Sequence, residues 1–152
     1  MNVDELILLV KEIVEKAIKL KDKHTNQNSA LVNYCCIFSQ SNEEYESLIN
    51  VTNEIGKVIK KTPTGPLFHI SLETISGKLL LLKIRKPDTT RPERGDADFT
   101  VDNYPNFKKK YLSQSGFKLI ERETMEMIEL VDSEFDVRVY FSDPPLDKQL
   151  GL

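Results

Sequence analysis

The order of elements constrains this chain more than any other feature. After an N-terminal segment, one pattern of strand, helix, strand, strand, strand runs through the sequence twice. In the first half, the apolar run Ala30 to Phe38 reads as a strand. Ser41-x-x-Glu44 is a capping box for a helix that runs to about Glu54 and stops at Gly56. Lys57 to Lys61 reads as a short strand, and Pro63-Thr64-Gly65-Pro66 as a turn. Leu67 to Ile75 and Lys78 to Lys86 form a strand pair about Ser76-Gly77.

The second half follows the same plan. Asp98 to Val101 is a short strand, and a helix starts at Asp102 or Asn103 with Tyr104, Phe107 and Tyr111 on one side. Gly116 is read as its stop. Phe117 to Glu121, Met125 to Val131 and Val137 to Phe141 are strands, and Pro144-Pro145 ends the regular structure. These readings give a first module at 30–86, a linker at 87–95 rich in proline and charge, and a second module at 96–143, all in one compact unit. The fold class is α+β, with an N-terminal helix and two βαβββ modules forming a cupped mixed sheet. A ferredoxin-like α/β sandwich is the alternative.

Residues 1–24 form the added helix. Val3, Leu6, Ile7, Val10, Ile13, Val14, Ala17 and Ile18 recur at helical spacing, and Asn2 is placed to cap the first turn. So broad an apolar stripe packs either on its own sheet or on a second subunit, which makes a homodimer one reading of the chain.

Charge excludes some partners. Lys and Arg number 21 against 24 Asp and Glu, and neither half carries a basic excess. A nucleic-acid surface would need one to neutralise phosphates. No apolar run approaches the length of a membrane span, and none follows a basic segment as a secretory signal would. Cys35 and Cys36 are adjacent, so on a strand their sulfurs face opposite ways and read as reduced thiols. The expected setting is therefore cytoplasmic, with no nucleic acid and no membrane.

The most telling stretch is Leu81-Leu82-Lys83-Ile84-Arg85-Lys86-Pro87-Asp88 followed by Arg94-Gly95-Asp96-Ala97-Asp98-Phe99-Thr100-Val101. It has the form of a module's last strand running through a linker into the next module's first strand. With the paired modules it resembles the vicinal oxygen chelate superfamily, the fold of glyoxalase I and the extradiol dioxygenases. The resemblance covers about 31–142 and implies a cup that holds a divalent metal. Its usual ligands are a His or Gln from a first strand and a Glu from a last strand. Here the first strands offer Asn33, Tyr34 and Cys35 in one module and Asp98 in the other, and neither last strand contains Glu.

Alternation along the strands supplies a different candidate site. Lys83 and Arg85 share one face of their strand, and Arg138 and Tyr140 share one face of theirs. If those faces line the cup, the four converge and suit a small anionic ligand, since an arginine forks a carboxylate. The other reading makes them solvent faces of half-covered sheets. Asp96 and Asp98 are the weak metal candidates, joined by one of Glu126 and Glu129, although pairing of these acids with Arg91, Arg94 or Arg122 is the expected outcome. His69 is expected to be a partly buried strand residue, and His24 to favour a helix C-terminus. Arg94-Gly95-Asp96 and Asn50-Val51-Thr52 match short motifs too common to carry weight.

Three functions follow. The first is metal-free binding of a small anion with no cofactor. The second is a metal-dependent lyase, isomerase or dioxygenase with a nonstandard ligand set, which would bring in a divalent metal. The third is a non-enzymatic module that dimerises through its first helix.

Overall fold

A computed structural model describes all of residues 1–152. Helix α1 (Val3–His24) opens the chain. The first module follows as β1 (Leu31–Phe38), α2 (Asn42–Ile55), β2 (Lys57–Thr62), β3 (Gly65–Thr74) and β4 (Gly77–Arg85). The second is β5 (Gly95–Thr100), α3 (Tyr104–Tyr111), β6 (Phe117–Glu121), β7 (Glu126–Leu130) and β8 (Val137–Asp143), and a short α4 (Leu146–Gln149) closes the chain.

All eight strands join one mixed sheet in the order β2-β3-β4-β1-β5-β8-β7-β6. In each module the first strand pairs parallel with the last, β1 with β4 and β5 with β8. The modules meet where β1 and β5 pair antiparallel. The sheet does not close, so β2 and β6 remain as edges. The fold is α+β, and its mixed sheet is cupped.

The register sorts side chains by face. Cys35, Ile37, Leu82, Ile84, Ala97, Phe99, Val139 and Phe141 belong to the main apolar core with the helices. Helix α1 lies over the middle of the sheet, against β8, β5, β1 and α2. Its Leu6, Val10, Ile13, Val14, Ala17 and Leu20 are all buried there. The stripe that left two readings open is thus covered by the chain's own sheet. Asn2 caps this helix, accepting the Glu5 backbone N–H at 2.9 Å. Replacing Asn2 with Ala should lower stability by about 1 kcal/mol in chemical denaturation, the usual cost of a lost cap. No helix is long and apolar enough to cross a membrane.

Several local expectations need correction. Strand β5 begins at Gly95 rather than Asp98, and its first five residues are buried. Gly-Asp-Ala-Asp has poor strand propensity, but the central position in the sheet overrides it. Gly95 is required there, because a Cβ would come 2.2 Å from the Cys36 carbonyl oxygen on β1. Helix α3 ends at Tyr111, and Gly116 instead serves the entry to β6 with φ of +91°. Regular structure resumes after Pro144-Pro145 as α4. His69 is exposed, not partly buried, because no helix covers its face of β3.

Candidate functional site

The face of the sheet away from α1, α2 and α3 carries the candidate residues. Cys36 on β1 is the register partner of Lys83 on β4 and of Asp96 on β5, and Asp96 is that of Arg138 on β8. One row therefore reads Lys83, Cys36, Asp96, Arg138. A second reads Tyr34, Asp98, Tyr140, Glu129, and Arg85 stands beside Phe38 at one end. With strands about 4.8 Å apart, Lys83 and Arg138 sit about 14 Å apart at the backbone, on either side of the joint between modules. Lys83, Arg85, Arg138 and Tyr140 thus share a face, as strand alternation predicts.

Beside Asp98, alternation fails. A bulge in β1 shifts the register between Val32 and Tyr34. It lets Asn33 also reach this face, where its amide donates to Asp98 Oδ1 at 3.0 Å and to Thr100 Oγ1 at 2.9 Å. Ser142 completes the shell of Asp98 through its hydroxyl and its backbone N–H.

The segment between modules, residues 86–94, does more than connect. Its Asp88 pairs with Arg85 at 3.3 Å. Its Glu93 accepts from Arg138 Nε at 2.7 Å and 3.1 Å. Its Arg91 donates to Tyr140 Oη at 3.4 Å and lies 5.7 Å from the Phe38 ring centroid. Arg91 therefore spans from β1 to β8, across the position of Asp96. Arg138 and Tyr140 also reach Glu129, at 3.4 Å and 2.7 Å. This strap engages three of the four side chains expected to hold an anion. Lys83 alone has neither an ion pair nor a hydrogen bond.

Asp96 lies under the strap, 6% exposed, and makes no hydrogen bond, with its Oδ1 fully enclosed. Burial pushes its carboxyl up to about 7, Asp98 adds to the rise, and Arg91, Lys83 and Arg85 oppose it. Asp98, 1% exposed, is also pushed up to about 7 by burial, against the bonds from Ser142 and Asn33. Burial lowers Lys83 below the usual lysine range. It raises the Cys36 thiol, so that group stays protonated and unreactive.

The expected pairing of the acids with Arg91, Arg94 or Arg122 is not what forms. Arg94 turns to Glu44, at 2.8 Å and 3.0 Å, and Arg122 donates to the Glu121 carbonyl. Glu126 faces the helices and takes Tyr104 and Lys108, whereas Glu129 faces the cup. The two glutamates do point opposite ways, because they are three apart on β7. His24 bonds Asp132 at 2.8 Å, at the turn between β7 and β8.

The donors do not suit the divalent metal that the resemblance read from the sequence implies. No three His, Cys, Asp or Glu side chains come together as ligands. Asp98 already accepts from Asn33 and Ser142. Asp96 has a free oxygen, but Lys83, Arg85, Arg91 and Arg138 would repel a cation beside it.

Two larger cavities lie away from Lys83. One of about 630 Å³ opens beside Arg138, Glu93 and Glu129, and reaches Phe135 and Asp136. Another of about 520 Å³ lies between α2 and the β2–β3 edge. Strand alternation pointed to the cup-facing residues. The strap partners carried no such signal, since Glu93 and Arg138 are 45 residues apart. Only Asp88, three residues after Arg85, was within reach of a local argument.

Comparison with solved structures supports the fold alone. The structural-genomics protein EC4020 matches with a TM-score of 0.72 and 9% identity, over 97% of this chain and 91% of that one. A glyoxalase/bleomycin resistance protein/dioxygenase superfamily member from Vibrio splendidus 12B01 gives a TM-score of 0.45 at 6% identity, over 74% of this chain and 97% of that one. A glyoxalase I variant from Zea mays gives 0.42 at 15% identity, over 73% of this chain and 42% of that one. No family model and no curated protein matches the sequence.

Proposed function

We propose that the chain binds a small organic anion in the cup, without a metal. Lys83 makes the first contact, and Arg85, Arg138 and Tyr140 complete the site as Asp88 and Glu93 give way. The observation that carries this is Lys83 itself, a partly buried ammonium with no partner, in one row with a buried carboxyl that has none either. Exchanging a strap carboxylate for a ligand carboxylate replaces one charge-assisted bond with another, so opening costs little net energy.

Titration calorimetry with oxalate, citrate and phosphate, in the presence of a chelator, tests the reading. At least one probe should bind, and Lys83→Ala should weaken it about tenfold, the size of one lost charged hydrogen bond of about 1.5 kcal/mol. Glu93→Gln should tighten binding by freeing Arg138. Unchanged affinity in Lys83→Ala would remove the cup from consideration.

A further inference from the structure

We propose that the ligand is a dicarboxylate with an acceptor oxygen between its ends, and that Asp96 selects it by donating a hydrogen bond to that oxygen. This rests on the anion-binding reading above. The strap already shows what the two ends of the cup accept. Asp88 places a carboxylate on Arg85 at the β4 side, and Glu93 places one on Arg138 at the β8 side. A free dicarboxylate of matching span would present the same two groups to the same two guanidiniums. Between them, in the row from Lys83 to Arg138, stands Asp96 with an enclosed and unbonded oxygen. An enclosed polar atom without a partner is costly, so a group that satisfies it when bound gains what the free protein lacks.

The protonation state follows from what surrounds Asp96. On β1 these are Tyr34 and Cys36, on β4 Lys83 and Arg85, on β5 Asp98, and on β8 Arg138 and Tyr140. Arg91 faces it from the strap, and Glu129 lies beyond Tyr140. In the free protein its carboxyl titrates at about 7. A second anion brought close raises it further, because like charges disfavour ionisation. Neutral Asp96 then donates its O–H to the ligand and accepts nothing from it. The proton comes from solvent on binding and returns there on release. A ligand with an amine at its centre would meet Lys83, Arg85, Arg91 and Arg138, and is excluded.

The test compares 2-oxoglutarate, glutarate and propionate by calorimetry on the full chain, from pH 6 to pH 9, in buffers of different ionisation enthalpy. 2-Oxoglutarate should bind more tightly than glutarate and propionate. Its binding at pH 8 should take up close to one proton. Its affinity should fall toward tenfold per pH unit above pH 7, the slope for one linked proton. Asp96→Asn, which stays neutral and keeps a donor, should bind it with no such uptake, which separates Asp96 from the titration of Lys83. Binding without proton uptake, or equal affinity for glutarate, overturns this inference and leaves the anion site standing. No binding of any probe at any pH, in the parent and in Glu93→Gln alike, overturns both.

Discussion

Removing residues 1–24 should leave a chain with no cooperative unfolding transition. The reason lies in what α1 covers. Leu6, Val10, Ile13, Val14 and Leu20 are at most 1% exposed, and they sit on the centre of the sheet where the modules meet. Each such side chain contributes about 1.5–3 kcal/mol on burial. Five of them supply on the order of 10 kcal/mol, comparable to the whole stability of a domain, about 5–15 kcal/mol. Deletion also bares the facing side chains Ile37, Ala97 and Phe99. The end of α1 adds specific ties. Lys21, 1% exposed, donates to the Gln27 carbonyl at 2.6 Å and lies 5.3 Å from the Phe99 ring centroid. Lys23 binds Asp132 and Glu134 at the β7–β8 turn. Circular dichroism during heating is the readout. A single substitution gives a graded version: Ile13→Ala should cost about 2–5 kcal/mol in denaturant. A sharp, folded transition in the truncated chain would show that α1 is an appendage, as an interface helix would be.

The same helix shows how far the sequence speaks. Its apolar period was legible because helix geometry is local, and so was the strand order of both modules. Which surface the stripe covers was not legible, because that depends on how the sheet curls beneath it. The candidate site divides along the same line. Strand alternation put Lys83 with Arg85 and Arg138 with Tyr140, since period two needs only the strand itself. The bulge at Asn33 escaped notice, as nothing in Val-Asn-Tyr marks an extra residue. The strap escaped it more thoroughly. A polar, proline-bearing segment reads as a connection, and its pairings with Arg138 and Tyr140 exist only once β8 lies beside β5. Strand β5 starts earlier than its sequence suggests because Asp96 and Asp98 are poor strand formers, and carboxyls at the centre of a sheet go against what propensity favours. Such local conflicts collect where function is retained at a cost in stability.

That cost is measurable. Asp96→Asn should make the protein more stable at pH 8, by an amount that vanishes near pH 4. The sign follows from where the carboxyl holds its proton. In the unfolded chain it titrates near the ordinary 3.8, and in the folded chain burial moves it up to about 7. Between those values the native state keeps a proton that the unfolded state has lost, so stability falls as pH rises through that window. Below pH 4 both states are protonated, and ionisation of the carboxyl contributes nothing to the difference between them. Above about pH 7 both are ionised, and the full difference of roughly three pKa units, on the order of 4 kcal/mol, opposes folding. Asparagine has nearly the same shape and never ionises, so it removes that term at high pH and leaves it absent at low pH. Denaturation of parent and variant at pH 4, 6 and 8 should therefore give two stability curves that meet at the acid end and diverge upward. If they stay parallel, Lys83, Arg85 and Arg91 already hold Asp96 comfortably ionised, and its missing hydrogen bond costs the fold nothing. Divergence would mean that the chain retains at its centre an acid that weakens it at neutral pH, and neither the core nor the sheet ladder gains from that acid.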